Sequence, residues 1–387
     1  MDGDIVNKKT FAALALLCCV ATSVLADLTA LVAVEPTSRK DGLALSRSAL
    51  ESGLRKLLGQ NVSVTMTDDL TDAMRTTRSG GYDVFIAPAQ VVASAIAHGY
   101  ELIGSTDAEE PYVLVGKSGI NSVSELRRGR IYLPQQDSIY TYMARGVLTA
   151  HGLSFKDLSK VDYARYPQAG LTAISLRMSE ATMVRLDDWE SWQRENPGVA
   201  KVLATSGTVP GGFSVAVKKE LAPEVRNQLT RWFSTSARSF GMKLVLQRAD
   251  LLHYKVVAEL GTFTPTSLPG VAIVGAEDVK RLFAQGAIVV DTRTEKEYKQ
   301  KHIPGAVFIP YHEKSLKDVV YDVALDDFSG LKTLDSKTPT VFHCNGAECW
   351  KSYKASRAAV AAGFNKVYWY RGGMPDWESS SQKIAKE

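Results

Sequence analysis

Cysteine is scarce in this chain of 387 residues, which contains only four. Cys18 and Cys19 lie in an apolar run near the N-terminus, whereas Cys344 and Cys349 lie close together near the C-terminus. A disulfide between Cys344 and Cys349 would close a very short loop, and such a bond adds little to the stability of a fold. The sequence therefore excludes a scaffold held together by disulfides, and it favours a chemical role for the C-terminal pair.

An excess of charge of one sign is also missing. The formal net charge is +4, from 46 Lys and Arg residues against 42 Asp and Glu residues, and no dense basic block occurs. Proteins that bind nucleic acid commonly concentrate basic residues, so we expect no nucleic-acid partner. The hydrophobic fraction of 45% and the charged fraction of 23% are ordinary for globular protein, and the length allows two or more domains.

Long hydrophobic runs are absent after the N-terminal segment, so no later segment is predicted to span a membrane. The N-terminal segment has Lys8 and Lys9, then an apolar run over residues 11–20, then small residues up to Ala26. This order is typical of a secretory signal peptide. We therefore expect an exported protein whose signal peptide, residues 1–26, is cleaved after Ala26.

An uncleaved membrane anchor is the alternative to cleavage. A lipid anchor at Cys18 is less favourable, because Leu17 is bulky where lipoprotein signals usually have a small residue. After cleavage the mature chain would keep only Cys344 and Cys349 as cysteines. In an oxidising compartment such a pair can form a disulfide.

Short apolar strands alternate with helices between residues 27 and 238. Strands are predicted at residues 28–34, 62–66, 82–87, 112–116, 131–133, 181–186 and 213–217. Helices are predicted at residues 43–58, 69–78, 90–98, 123–127, 138–151, 187–194 and 223–238. This alternation predicts α/β layers with a mostly parallel sheet. Two lobes, residues 27–117 with 213–261 and residues 118–212, would form a cleft that can bind a small ligand.

The start of the helix near residue 138 carries several hydroxyl groups. Ser138, Tyr140 and Thr141 occur there after Asp137. Hydroxyl groups and the free N–H groups of a helix N-terminus together suit an oxyanion. The alternative is an ordinary N-cap made by Asp137 or Ser138.

Residues 82–90, 112–117 and 124–131, with the helix start at Ser138, resemble the phosphonate-type periplasmic substrate-binding proteins of ABC transporters. The resemblance covers residues 27–261. It implies a bilobal fold that closes about a hinge on a small oxyanion, with an ABC permease as a possible partner. The lobe residues expected to contact the ligand are Pro88, Gln90, Ser138, Tyr140, Thr141, Tyr166, Gln168 and Asp187.

One departure from this family concerns the ligand. The acidic and histidine groups with which the family holds an aminated phosphonate are missing, unless Asp187 serves. The ligand class therefore stays open, because phosphonate, phosphate, a sulfur oxyanion or another small acid would each fit.

The composition of residues 262–270 predicts a linker, after which residues 271–387 form a third unit. In this unit a strand at residues 340–342 leads to Cys344, and a helix at residues 352–362 ends at Gly363. A cysteine between a strand end and a helix start lies among N–H groups that favour an anion and lower a thiol pKa. The alternative is a buried structural cysteine.

The third unit resembles rhodanese domains in four motifs. They are Asp291 and Arg293 with a following Glu297 and Tyr298, the turn at residues 302–306, the Cys344 loop, and Gly372 and Gly373 with Trp377. The resemblance implies a small α/β domain with a central parallel sheet. It also implies sulfur transfer through a cysteine persulfide, from a donor such as thiosulfate to a thiol acceptor. No metal and no cofactor are expected.

The roles of individual residues follow from their positions in these motifs. Cys344 is then the nucleophile, whereas Asp291, Arg293 and His302 are structural. The anion-binding loop is Asn345, Gly346, Ala347, Glu348, Cys349, Trp350 and Lys351. Cys349 either resolves the persulfide, by forming a disulfide with release of sulfide, or is a passive loop residue.

The Cys344 loop departs from the sulfurtransferase pattern in two respects. It is longer than usual, and Lys351 stands near where many members have an arginine. Longer loops in this superfamily accommodate larger oxyanions in phosphatases and arsenate reductases. Oxyanion reduction or phosphoester hydrolysis is therefore a third hypothesis, but no catalytic acid for hydrolysis is evident.

The leading hypothesis is a periplasmic sulfurtransferase coupled to an oxyanion-binding module. The second hypothesis is a periplasmic solute-binding protein for a small oxyanion, in which the rhodanese unit is non-catalytic or a redox appendage.

Overall fold

The computed structural model of the protein describes residues 27–36, 47–106, 109–235 and 251–387. The predicted signal peptide lies outside these ranges, as do residues 43–46 and 236–238 of two predicted helices. Within the described ranges, no helix has the length and apolar character needed to cross a membrane. The described chain builds three five-stranded sheets.

The first two sheets and their helices lie within residues 27–261. The strands are β1 (Leu28–Ala33), β2 (Val62–Thr67), β3 (Val84–Ala87), β4 (Tyr100–Ser105), β5 (Glu109–Glu110), β6 (Tyr112–Lys117), β7 (Arg130–Leu133), β8 (Lys160–Tyr163), β9 (Ala181–Arg185), β10 (Ala200–Thr205), β11 (Val209–Pro210) and β12 (Ser214–Lys218). The helices are α1 (Arg47–Leu58), α2 (Leu70–Ser79), α3 (Ala89–Ala97), α4 (Ile139–Ala150), α5 (Gln168–Ser175), α6 (Leu186–Glu195), α7 (Pro223–Thr235) and α8 (Leu251–Glu259). The predicted helix at residues 123–127 is a short 3-10 turn, Val123–Leu126.

Each sheet belongs to one lobe. The first has the strand order β2-β1-β3-β12-β4, and the second has the order β10-β6-β9-β7-β8, so the predicted bilobal α/β fold is confirmed. In the first sheet β1 pairs in parallel with β2 and β3, while β12 is antiparallel to β3 and β4. The central strand β3 is fully buried, as expected for a sheet covered on both faces.

The sequence predicts that the first lobe extends to residue 117, and this part of the prediction is wrong. β6 pairs antiparallel with both β9 and β10, which makes it an inner strand of the second sheet. Residues 112–115 are buried there because both neighbouring strands and the covering helices shield them. The first lobe therefore runs to the end of β4 and resumes with β12.

The two lobes are closed on each other. The Gln135 side chain accepts a hydrogen bond from Leu70 N (3.2 Å) and donates one to the Asp68 carbonyl (2.8 Å). Thr71 Oγ1 donates to Asp137 Oδ2 at 2.9 Å. One apolar cluster contains buried residues from both sheets. The lobes thus share a core, and few groups at their interface remain in contact with solvent.

The third unit begins at β13 (Val271–Ile273). Its other strands are β14 (Ile288–Asp291), β15 (Val307–Phe308), β16 (Thr340–His343) and β17 (Val367–Tyr370), and its helices are α9 (Ala276–Ala284), α10 (Glu295–Gln300), α11 (Trp350–Ala361) and α12 (Gly373–Ser379). The order is β13-β17-β16-β14-β15, and all four pairings are parallel. The predicted central parallel sheet is confirmed.

Helix α11 starts two residues before the predicted position. Cys349 is its N-cap residue, and Trp350 is its first residue. The helix ends as predicted, since Gly363 follows it with φ +84°. The first turn of α11 therefore lies beside the Cys344 loop, and its free N–H groups belong to the candidate site.

Candidate active site

Cys344 lies at the carboxyl end of β16, a central strand of the third sheet. Its side chain is 1% exposed. Its carbonyl accepts a hydrogen bond from Met374 N at 2.8 Å. Gly373, with φ +59°, lies so close that a Cβ atom there would be 2.1 Å from the Cys344 oxygen. The close approach of these two backbones requires glycine at position 373.

The loop after Cys344 is a tight turn. Gly346 has φ +91°, and its carbonyl accepts a hydrogen bond from Cys349 N at 3.0 Å. Asn345 Nδ2 donates to Glu297 Oε1 at 2.7 Å, which fixes the start of the loop. The loop proper is therefore residues 345–349, and Trp350 and Lys351 belong to the first turn of α11.

The sulfur of Cys344 is held by a relay that starts at Trp369. The Cys344 sulfur lies 3.0 Å from Ser352 Oγ and 3.2 Å from the Cys349 carbonyl oxygen. Trp369 Nε1 donates to Ser352 Oγ at 3.0 Å. An indole N–H can only donate, so the Ser352 hydroxyl keeps its own proton for the Cys344 sulfur. Ser352 was not among the predicted site residues. Its position one turn into the helix after the loop could have indicated a contact with Cys344.

The two thiols of the loop have opposite pKa shifts. Burial raises the pKa of the Cys344 thiol well above its ordinary value, and Cys349 adds to this rise, whereas Ser352 opposes it. The hydrogen bond from Cys344 lowers the pKa of Cys349 to about 7, with support from Arg78 and against burial. Of the two thiols in the reduced pair, Cys349 is therefore the first to ionise as the pH rises.

Asp291 and Arg293 form a buried ion pair beneath the loop. Arg293 Nη2 lies 2.7 Å from Asp291 Oδ2, and the two side chains are 1% and 0% exposed. Arg293 also donates to the Lys301 carbonyl at 2.6 Å. His302 stacks on Tyr298 with ring centroids 4.0 Å apart. These contacts connect the end of β14 to the turn at residues 302–306. The hydrogen-bond partners of the Cys344 sulfur are instead Cys349 and Ser352.

The loop also contacts chain outside the third unit. Ala347 O accepts two hydrogen bonds from Thr264, from its N–H at 2.8 Å and from its hydroxyl at 2.7 Å. Trp350 Nε1 donates to the Thr262 carbonyl at 2.9 Å. Glu348 Oε2 is 2.9 Å from Arg78 Nη1 of the first lobe. The predicted linker and the first lobe therefore form walls around the cysteine pair.

Two of the predicted ligand residues of the lobes, Gln90 and Ser138, contact Glu35, a residue that was not predicted from the sequence. Gln90 Nε2 lies 2.9 Å from Glu35 Oε1, and Ser138 Oγ lies 2.9 Å from Glu35 Oε2. Ile139 N donates to Glu35 Oε1 at 2.7 Å. Burial raises the pKa of Glu35 to about 7, although these three donors oppose the rise. The signal for Glu35 was its place just after β1, at the carboxyl edge of a parallel sheet.

The remaining predicted lobe residues lie apart from this cluster or play local roles. Pro88 is the buried N-cap of α3, and Thr141 Oγ1 donates to the Gln135 carbonyl at 2.9 Å. Tyr140 packs edge-on against Tyr112. Three further residues are Gln168 at the start of α5, Tyr166, which is 44% exposed, and Asp187, exposed on α6. The structure thus brings Gln90 and Ser138 together and leaves Tyr166 and Asp187 at the surface.

Comparison with known proteins identifies both parts of the chain. A family model for the ABC transporter, phosphonate, periplasmic substrate-binding protein matches residues 32–259, which is more than half of the chain. The chain belongs to this family. A model for the rhodanese-like domain matches residues 275–380, so a rhodanese domain is fused to the C-terminal side of the substrate-binding module. Both resemblances expected from the sequence are confirmed.

Individual relatives match one part or the other. Thiosulfate:glutathione sulfurtransferase of Saccharomyces cerevisiae is 26% identical over 106 residues, covering 27% of this chain and 75% of that protein. Thiosulfate sulfurtransferase GlpE of Pseudomonas entomophila is 31% identical over 107 residues, covering 28% of this chain and 84% of that protein. A solved structure of PhnD1 from Prochlorococcus marinus, in complex with methylphosphonate, is 16% identical, with a TM-score of 0.47 over 61% of this chain and 97% of that chain.

Proposed function

We propose that this protein is an exported, periplasmic sulfurtransferase in which Cys344 carries sulfur as a persulfide. The observation that carries the proposal is the Cys344 sulfur at the end of β16, 3.0 Å from the Ser352 hydroxyl and beside a second cysteine. The rhodanese domain and its sulfurtransferase relatives support the same reaction class.

The first step is sulfur uptake. Cys349, as the thiolate, takes the proton of the Cys344 thiol. The Cys344 thiolate then attacks the outer sulfur of a donor such as thiosulfate. A bond forms from Cys344 Sγ to that sulfur, the sulfur–sulfur bond of thiosulfate breaks, and sulfite leaves with the electron pair. The N–H groups at the start of α11 stabilise the anionic persulfide.

The second step is release of the sulfur. A small thiolate attacks the outer sulfur of the persulfide, so the acceptor becomes a persulfide and the Cys344 thiolate is restored. In the absence of an acceptor, Cys349 attacks Cys344 Sγ, hydrosulfide leaves, and a Cys344–Cys349 disulfide remains. Because Cys344 and Cys349 are 1% and 7% exposed, the donor and acceptor that fit the closed form are small.

Intact-mass spectrometry of the reduced full chain, before and after addition of thiosulfate, tests this proposal. We expect the wild type to gain one sulfur atom and Cys344→Ser to gain none. Cys349→Ser should still gain the sulfur, but more slowly at neutral pH because it lacks the neighbouring base. A sulfur gain that persists in Cys344→Ser would overturn the proposal. A loss of two hydrogens without added sulfur, abolished by either substitution, would instead favour a solute-binding protein with a redox appendage.

A second candidate function is binding of a small oxyanion by the lobes. The donors of Gln90, Ser138 and Ile139 already hold a carboxylate, that of Glu35, so they are arranged for an anionic ligand. We propose that phosphonate, phosphate or a sulfur oxyanion binds there by displacing Glu35, with delivery to an ABC permease as the consequence.

Calorimetric titration of the wild type and of Glu35→Ala with methylphosphonate, phosphate, sulfate and thiosulfate tests this second candidate. We expect weak binding by the wild type, tighter at pH 6 than at pH 8 because protonation removes the competing charge of Glu35. Glu35→Ala should bind one of these anions about tenfold more tightly, with little change between the two pH values. Equal affinities of the wild type and the variant at both pH values would contradict displacement of Glu35.

A further inference from the structure

Two arginines of the first lobe contact the rhodanese domain. Arg75 and Arg78 are three residues apart on α2 and therefore project from the same face of the helix. Arg75 Nη1 lies 2.9 Å from Glu297 Oε1, and Arg78 Nη1 lies 2.9 Å from Glu348 Oε2. Both carboxylates belong to the rhodanese domain, so this face of α2 is part of the contact between the two modules.

Arg78 is the more deeply buried of the two arginines. Its side chain is 4% exposed, whereas that of Arg75 is 23% exposed. A buried guanidinium is costly unless anions compensate its charge. Glu348 is one such anion, and the next residue in the chain is Cys349, the thiol whose ionised form is favoured in the reduced pair.

The loop itself lacks a cation for an anionic sulfur. Residues 345–349 are Asn, Gly, Ala, Glu and Cys, so its one charged side chain is acidic. Lys351 follows in the first turn of α11 and is half-buried. An anionic sulfur in an enclosed, poorly hydrated loop gains most from a charge that is itself shielded from solvent. Arg78, from another module, meets that condition for both cysteines. Arg293, which is paired with Asp291, meets it for Cys344.

We propose that Arg78 of the substrate-binding module is a positioning residue of the rhodanese loop. Its guanidinium, held by Glu348, stabilises the anionic sulfur of the loop, as the thiolate before sulfur uptake and as the persulfide afterwards. This inference rests on the proposed function for its persulfide part, but the thiolate part can be tested without any sulfur donor.

The groups that act on the Cys349 sulfur come from several elements. They are Cys344 at the end of β16, the backbone N–H of Asn345 in the loop, Arg78 on α2, and Glu313 from the segment between β15 and β16. Glu348 adjoins Cys349 in the loop and pairs with Arg78. Arg78 is the cationic member of this group, so its removal changes the charge balance at the sulfur most directly.

The test is a thiolate titration of the reduced full chain, followed by absorbance at 240 nm as the pH is raised. The variants are Arg78→Met, which removes the charge, and Arg78→Lys, which keeps it. The matched control is Lys317→Met, which breaks a second buried ion pair between the modules, to Asp137 (2.5 Å), and keeps Arg78 and Glu348. The readout is the pH at which half of the first thiol is ionised. This midpoint reports how strongly the thiolate is stabilised and does not depend on the access of a reagent.

We expect the midpoint of the first thiolate to rise by about one to two pH units in Arg78→Met, which means about fivefold to fiftyfold less thiolate at pH 7 when the wild-type midpoint is about 7. Arg78→Lys should stay closer to the wild type, and Lys317→Met should match it. An unchanged midpoint in Arg78→Met would overturn the inference. So would an equal rise in Lys317→Met, since loosening of the contact alone would then explain the effect. If Arg78→Met does not fold, a wild-type midpoint in the folded variant Arg78→Gln, which keeps Glu348, would overturn it in the same way.

The outcome separates this inference from the proposed function. A raised midpoint in Arg78→Met together with no persulfide in the wild type would retain Arg78 as a thiolate partner and reject sulfur transfer. Persulfide formation at the wild-type rate in Arg78→Met, with an unchanged midpoint, would retain sulfur transfer and reject the role of Arg78.

Discussion

Glu35 is a carboxylate that folding moves from water into the interface between the lobes. Burial raises its pKa to about 7 in the folded chain, and the donors around it oppose this change. In the unfolded chain a glutamate titrates near its ordinary value of about 4.3. Between these values the folded state binds more protons at Glu35, so the contribution of Glu35 to stability is greatest below about pH 4 and falls as the pH rises to about 7.

Replacement of Glu35 by Gln should therefore stabilise the protein at high pH. We expect a gain of about 1–3 kcal/mol in the free energy of unfolding at pH 8 and much less at pH 5. Urea unfolding at both pH values measures this difference. Glu190→Gln on exposed α6 is the control and should change stability little at either pH. Equal gains for Glu35→Gln at pH 5 and pH 8 would contradict the assignment of a raised pKa.

The Asp291–Arg293 pair predicts a large loss of stability when one partner is removed. Both side chains are almost fully buried, so Asp291→Asn leaves the Arg293 charge without its anion. We expect a loss of about 3–5 kcal/mol in denaturant unfolding. The double variant Asp291→Asn/Arg293→Met should recover part of this loss because it removes the unpaired charge. A double variant less stable than the single one would mean that packing, and not charge, dominates at this position.

Gly373, at the start of α12, and Gly363, after α11, are a matched pair of positions. Substitutions there test how closely the start of α12 packs against the Cys344 loop. Both have positive φ, but a Cβ at Gly373 would meet the Cys344 carbonyl at 2.1 Å, whereas a Cβ at Gly363 meets nothing within 4 Å. Gly363→Ala should cost only the backbone strain, about 1 kcal/mol. Gly373→Ala should cost clearly more and should also slow persulfide formation, because the Cys344 loop must shift. Thermal unfolding measures the loss of stability, and the mass assay measures the rate of persulfide formation. If the two variants lose equal stability and form the persulfide at equal rates, a displacement of the loop is ruled out.

Three strands of the lobes that were not predicted from the sequence have a common place in the fold. β4, β8 and β10 each lie at an edge of a five-stranded sheet. Edge strands are half exposed and lack the continuous apolar run of an inner strand such as β3. The inner strands of the two lobes, in contrast, were predicted at nearly their observed positions, because burial on both faces leaves a strong signal in the sequence.

The separation in sequence between contacting residues explains which parts of the candidate site could be predicted. Cys344 could be predicted because a strand end, a glycine turn and a helix start are adjacent in the chain. Glu35 contacts a helix start 104 residues away, and Arg78 contacts a loop 270 residues away. Their roles depend on lobe closure and on docking of the modules, and a local pattern in one sequence carries no information on either.

On the scale of the whole molecule, the two modules are joined by buried charges. Lys317 and Asp137, 2.5 Å apart, are 9% and 2% exposed, and Gln136 exchanges hydrogen bonds with the backbone of Lys317. Together with the arginines of α2, these contacts couple the substrate-binding module to the rhodanese domain. The wild type should therefore unfold in one calorimetric transition.

Asp137→Asn should split this transition. The substitution leaves the buried Lys317 charge without its anion, which weakens docking while each module keeps its own sheet. We expect two peaks in differential scanning calorimetry. Lys117→Met, which breaks an ion pair of partly exposed side chains with Glu180, is the control and should leave one peak. A single peak in Asp137→Asn would show that the modules are coupled by other contacts.

The contact of Thr264 with Ala347 bears on how a protein with these two modules can arise. The peptide that joins the modules is also part of the wall of the sulfur site, since Thr264 donates twice to the loop and accepts from Arg371. Two separate genes could encode the same pair of domains, but their products would lack this covalently supplied wall. The fusion is thus part of the surroundings of Cys344 and more than a tether between two domains.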